Sequence, residues 1–116
     1  MLDPDNIVHV LSRNFALRCI KLFKFLNEKN EFIIAKQILR SGTSIGANIA
    51  ESIHAQSKAD FITKMNIALK EADETKYWLD LLHETEYIDD ASFESINNDC
   101  SQIIGTLVKI IKSSRS

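Results

Sequence analysis

Apolar positions recur at helical spacing along nearly the whole chain, in four blocks separated by short polar breaks. In the first block, Ile7, Leu11, Phe15, Leu22, Phe25 and Leu26 share an arc of about 100° on a helical wheel. Val10, Leu17, Ile20 and Phe23 fall outside that arc, so this helix is apolar on more than one side. Asp3 as N-cap, Pro4 at the first helical position and Asp5 near the positive end of the dipole set its start. The second block carries the stripe Ile34, Ile38, Ile45, Ile49 and Ile53. Its isoleucine spacing continues through Gly42 and Gly46, which predicts one unbroken helix with small residues where a neighbour can come close.

In the third block, Ser57-x-x-Asp60 reads as a capping box with Asp in place of the usual Glu or Gln. It opens the stripe Phe61, Met65, Ala68, Ala72, Thr75, Leu79 and Leu82. Asp89 or Asp90 caps the fourth, whose stripe is Phe93, Ile96, Cys100, Ile103, Ile104, Leu107, Ile110 and Ile111. The expected helices cover 4–27, 31–54, 58–85 and 90–112. Their short connections force each helix antiparallel to the one before. The expected fold is all-α, a single antiparallel up-and-down four-helix bundle spanning 1–116.

Composition agrees with this pattern. Three Gly and one Pro in 116 residues are too few for a turn-rich β-sandwich, and 45% hydrophobic with 26% charged residues is ordinary for a globular domain. The opening Met1 to Asn6 lacks a signal-peptide pattern, and no apolar run approaches the roughly 20 residues needed to cross a bilayer. A cytoplasmic location without membrane contact is the expectation. Cys19 and Cys100 form no CxxC motif, and both fall on apolar stripes, so both are expected to be reduced and buried.

Candidate chemistry is sparse. His9, His54 and His83 lie on different segments without metal-ligand spacing, and no GxSxG elbow or Gly-rich phosphate loop occurs. The carboxylates Glu71, Asp73, Glu74 and Asp80 lack the Glu-x-x-His pairs of a di-iron bundle. No catalytic residue, metal or cofactor is therefore expected. Net charge is −2, but it is unevenly spread. Residues 6–50 hold seven basic and two acidic side chains, whereas 51–99 hold twelve acids and four lysines. Such a chain can pair with copies of itself or offer one face to a polyanion. Arg13, Lys21 and Lys24, with Arg18, Lys36 and Arg40, are the candidate nucleic-acid contacts. The alternatives are a solvated surface, or cations that meet the acids of helix three in a neighbouring subunit. The polar patch Ser41, Thr43, Ser44, Asn48 and Glu51 reads as an interhelical hydrogen-bond network or a binding patch. Trp78 reads as the edge of the core or as a subunit contact.

Three segments carry a resemblance. They are Ser41-Gly-Thr-Ser-Ile-Gly-Ala-Asn-Ile-Ala-Glu51, then Gln56-Ser57-Lys58-x-Asp60-Phe61, then Ile67-Ala-Leu-Lys-Glu-Ala-Asp-Glu-Thr-Lys-Tyr-Trp-Leu79. Together they resemble the bacterial four-helix bundle protein family, whose members include proteins encoded by intervening sequences within 23S ribosomal RNA genes. The resemblance implies a ring-shaped homopentamer. It marks Asn48, Glu51 and Glu74 as signature positions and supplies no catalytic residues. A related branch, the accessory proteins of diversity-generating retroelements, forms similar pentamers that bind nucleic acid and a reverse transcriptase. That branch is strongly basic, whereas this chain has a pI of about 5.9. The function expected from sequence is a non-enzymatic oligomeric module associated with RNA or with an RNA-processing protein. The alternative is a protein-binding scaffold or adaptor that does not touch nucleic acid.

Overall fold

Helix α1 runs Pro4–Glu28, α2 Ile33–Ser52, α3 Lys58–Glu84 and α4 Asp90–Arg115 in the computed structural model, which describes residues 4–115. Among the described residues there is no strand. The helices lie along one axis of a body measuring 44 × 23 × 21 Å. Its length suits a 27-residue helix such as α3, at roughly 1.5 Å per residue. Each helix lies beside two neighbours, and the backbones of the diagonal pairs α1–α3 and α2–α4 do not come close among the described residues. The α1–α4 seam is the thinnest of the four.

Local chemistry sets the ends. Asp3, expected to cap α1, lies outside the described residues. The break after α1 closes as a Schellman turn: Asn30 takes φ 62°, its N–H donates to the Asn27 carbonyl, and the Glu31 N–H reaches back to the Leu26 carbonyl. That turn uses the backbone of Glu31, so α2 begins at Ile33, two residues later than its sequence suggests. Glu31 still serves as the cap, because its Oε1 accepts from the N–H groups of Ile34 at 2.6 Å and Ala35 at 3.0 Å. At α3, Ser57 Oγ accepts from the Asp60 N–H at 3.0 Å. The reciprocal bond of the short Asp60 side chain goes to the Gln56 N–H at 3.1 Å. Asp89 Oδ1 accepts from the Ser92 N–H at 2.7 Å and starts α4. Hydrogen bonds from the Ser92 backbone, then its hydroxyl, hold the Asp89 carboxyl below its ordinary range. Helix α4 continues to Arg115, past the expected end near 112, since no glycine or proline stops it there.

The α3–α4 connection repeats the Schellman geometry. Glu86 has φ 66°, and the Tyr87 N–H donates to the Leu82 carbonyl at 2.9 Å. A side chain with a Cβ is strained there, and glycine is not. Glu86→Gly is expected to raise stability by about 0.5–1 kcal/mol in urea unfolding. A loss of stability would contradict this reading of the turn.

The core takes Phe15, Cys19 and Leu26 from α1, Ile38, Ile45 and Ile49 from α2, Met65, Leu79 and Leu82 from α3, and Ile96, Ile103 and Leu107 from α4. The stripes expected on α3 and α4 are buried or packed against this core throughout. Helix α1 is rotated from expectation. Val8, Ser12 and Cys19 face inward, whereas Ile7 and Phe25 are more than a third exposed. The reason is the crossing with α2. A Cβ on Gly42 would overlap Cys19 Sγ, and one on Gly46 would sit 3.4 Å from the Ser12 carbonyl oxygen. The closest approach of the two helices therefore runs through their smallest residues, and the large side chains of α1 flank that line. Phe23, which by its sequence needs outside cover, packs against the core instead. Ile53 is exposed because α2 ends one residue before it.

Candidate nucleic-acid and assembly surface

The outward face of α1 is the least ordinary surface of the bundle. Val10 is 53% exposed and Leu17 45%, with Ile20 beside them. Arg13, Lys21 and Lys24 are also exposed and alternate with these apolar groups along the same face. No described carboxylate lies within ion-pair distance of any of the three cations. Lys36 is exposed on the outward face of α2, without an ion pair among the described residues.

The other two candidates are engaged inside the chain. Arg18 donates to Asp99 at 2.7 Å and to Ser95 Oγ at 3.0 Å, which ties α1 to α4 across their thin seam. Arg40 bridges α2 to α3 by pairing with both Glu71 and Glu74. Glu74 Oε2 also accepts from Trp78 Nε1 at 2.9 Å. Glu74 thus joins Arg40 to the indole and fixes Trp78 at the edge of the core, where its ring packs. Tyr77 meets the indole edge-on with centroids 5.1 Å apart and stays 57% exposed on the outward face of α3. Asp73, Asp80 and Glu84 are exposed on that same face.

The polar patch of α2 turns mostly on its own helix. The Thr43 hydroxyl donates to the Leu39 carbonyl, the Ser44 hydroxyl to Arg40, and the Asn48 amide to Ser44 at 2.9 Å. Two members cross to α3. Glu51 pairs with Lys64 at 3.1 Å. Ser41 Oγ lies 2.8 Å from Thr75 Oγ1, whose hydroxyl also reaches the Glu71 carbonyl at 2.7 Å. Both hydroxyl residues are buried, so this pair satisfies two groups that would otherwise be stranded in the core.

Cys19 and Cys100 are unpaired and buried. Burial pushes the Cys19 thiol up to about 12, with the nearby Cys100 adding to the effect and Arg18 opposing it. Burial likewise raises Cys100 to about 12; Lys76 opposes, and the surrounding aspartates add. A thiol whose folded pKa is raised stabilises the fold fully below its unfolded pKa, and that contribution is lost as pH climbs toward the folded value. Stability is expected to fall as pH rises above about 8.5, where unfolded thiols ionise. The double variant Cys19→Ala, Cys100→Ala should flatten the slope. A slope unchanged by that variant would assign the effect to other groups.

No helix of the described residues is long and apolar enough to cross a membrane. No group of three or more His, Cys, Asp or Glu side chains is placed to hold a metal ion among them. His9 Nε2 is a buried nitrogen without a hydrogen-bond partner among the described residues.

The geometry is that of a small up-and-down helical bundle with a mixed apolar and basic outer face on α1, in which Glu51 and Glu74 tie α2 to α3 and Asn48 bonds within its own helix. The model of the 23S rRNA-intervening sequence protein family matches residues 4–109, and this chain belongs to that family. It is similar to the crystal structure of a protein of unknown function from the S23 ribosomal protein family of Bacteroides thetaiotaomicron VPI-5482. The two chains share 60% sequence identity and a TM-score of 0.93, over 95% of this chain and 99% of that one. No curated protein matches the chain.

Proposed function

We propose that this protein works by association rather than catalysis, as a homo-oligomeric module that contacts RNA. The observation that carries this reading is the outward face of α1, where exposed Val10, Leu17 and Ile20 alternate with Arg13, Lys21 and Lys24. Apolar groups in a row on one helix face call for a second protein surface. The complementary surface of this chain is the outward face of α3, with Asp73, Tyr77, Asp80 and Glu84. Helices α1 and α3 are diagonal partners, so these two faces point away from each other. A contact between unlike faces is heterologous and closes into a ring when the rotation allows. The resemblance of the chain to pentameric bundle proteins supports five copies.

Cations beside the apolar line then recur around the ring. Weak phosphate contacts add through multivalency when one strand reaches several of them. Such contacts hold the backbone of the strand and read no sequence. The family's tie to 23S ribosomal RNA genes supports RNA as the polyanion. A cytoplasmic site of action follows from that role.

The scaffold reading also has a specific observation behind it. Arg18 and Arg40 are already neutralised by Asp99, Glu71 and Glu74, which leaves four of the six candidate cations for RNA. The triple variant Arg13→Ala, Lys21→Ala, Lys24→Ala separates the two. On the RNA reading it loses most affinity for RNA while the assembly persists, and the log–log salt slope falls in magnitude by roughly 0.7 per lost contact to a single strand. Loss of the assembly instead would assign these charges to self-association. The absence of any RNA binding by the unmodified protein at low salt would leave only the scaffold.

A further inference from the structure

A groove of about 660 Å³ opens between the second half of α1, the α3–α4 turn and the start of α4. It lies along the α1–α4 seam, where the helices are in least contact. Leu22, Ile88 and Ile96 make its apolar floor. Phe25 and Tyr87, each more than a third exposed, also line it. Lys21 and Lys29 stand on the α1 side, and Lys29 Nζ lies 5.5 Å from the centroid of the Phe25 ring.

Two aromatic rings with lysines beside them suit a base and its phosphate. Any base offers a π-face to an aromatic side chain, whatever the sequence, while nearby cations track the backbone. The volume falls within the roughly 300–1,000 Å³ typical of pockets for small ligands. A second groove, of about 480 Å³, lies between α1, α2 and α3 near Phe61 and Met65, and its lining includes no lysine or arginine. Of these two grooves, the one beside α4 suits an anion.

Two acids oppose it. Asp89 is committed to capping α4 through Ser92. The Glu86 carboxylate lines the groove and has no hydrogen-bond partner among the described residues. Lys29 sits on a flexible stem, so its ammonium can pass from the Phe25 ring to a phosphate.

We infer that the α1–α4 groove binds an unpaired nucleotide of single-stranded RNA, with its base against Phe25 and Tyr87 and its phosphate on Lys21 and Lys29. This inference rests on the RNA-associated reading above and gives it a site that shares only Lys21 with the outward stripe of α1. Duplex RNA keeps its bases stacked and offers none to the rings. Glu86 sets a repulsive limit on affinity.

The test is fluorescence anisotropy with a labelled single-stranded RNA of about ten nucleotides, and a duplex of the same length, on the full chain. Phe25→Leu and Tyr87→Leu keep apolar bulk but remove the π-face. Each is expected to weaken single-strand binding roughly fivefold or more, while Phe25→Trp retains it. Glu86→Gln is expected to tighten it severalfold. Circular dichroism and light scattering on each variant confirm that fold and assembly are unchanged. If the leucine variants bind as tightly as the unmodified chain, and only Arg13→Ala with Lys24→Ala lowers affinity, the groove is refuted and the RNA reading stands. Equal binding of duplex and single strand also overturns the groove. Absence of RNA binding at low salt removes both. Binding of an acidic peptide that displaces the RNA from the groove without dependence on Phe25 overturns the base-stacking assignment.

Discussion

Gly42→Ala is expected to destabilise the bundle by about 1–3 kcal/mol, although alanine is the better helix former. In an exposed helix the same change gains about 1 kcal/mol. At Gly42 the added methyl overlaps Cys19 Sγ and lies 2.9 Å from Cys19 Cβ. Cys19 is fully buried, so its sulfur can yield only by pressing into the packed core. The methyl has to push α1 away from α2, and every contact along that seam loosens with it. Gly105→Ala is the internal control. Nothing lies within 4 Å of the point where its methyl would sit, so alanine there is expected to stabilise by about 0.5–1 kcal/mol. Urea midpoints of the two variants should move in opposite directions. Adding Cys19→Ala to Gly42→Ala removes the sulfur but not the Cβ, and should recover part of the loss as a coupling energy between neighbours. Movement of both glycine variants in the same direction would mean that the seam is not set by this contact.

The second large effect concerns assembly. Val10→Asp with Leu17→Asp is expected to weaken self-association by about a hundredfold or more, which is ~2.7 kcal/mol. Both positions are about half exposed in the single chain, so fold stability should change little beyond helix propensity. In an assembled ring the same two carboxylates would be buried against an acidic neighbour, without a partner charge. Circular dichroism should show an intact helical chain, and sedimentation should show a smaller particle. An unchanged sedimentation coefficient would place the contact on another face.

Much of this fold is legible in the sequence because period and punctuation agree. On α4 the large apolar residues are also the buried ones, and on α3 the stripe from Phe61 to Leu82 keeps its period through Ala68, Ala72 and Thr75 although Ile67 and Tyr77 are exposed, so a wheel drawn from the sequence finds the core. On α1 it does not. There the inward line runs through Ser12 and Cys19, because Gly42 and Gly46 of α2 let the backbones come close. A wheel that weights bulk places the face about 50° away, since smallness counts only when the facing residue is known. The start of α2 is hidden for a related reason. Glu31 looks like the first helical residue, but its N–H closes the turn that Asn30 begins. Among the candidate site residues, charge pattern identifies the basic half, but not which cations find partners within the chain. Arg18 with Asp99 and Arg40 with Glu74 are separated by 81 and 34 positions, and only packing brings them together. The groove is invisible in the sequence, because Phe25 reads there as core and Tyr87 as part of a turn.

The claim that this chain functions through assembly is tested most directly by light scattering on the unmodified protein at micromolar concentration. The chain has a mass of 13.2 kDa. A closed ring of five gives a single species near 66 kDa, about five times the chain mass, that does not grow with concentration. A 13.2 kDa particle at every micromolar concentration would contradict the account, because the exposed apolar and basic face of α1 would then have no partner to meet.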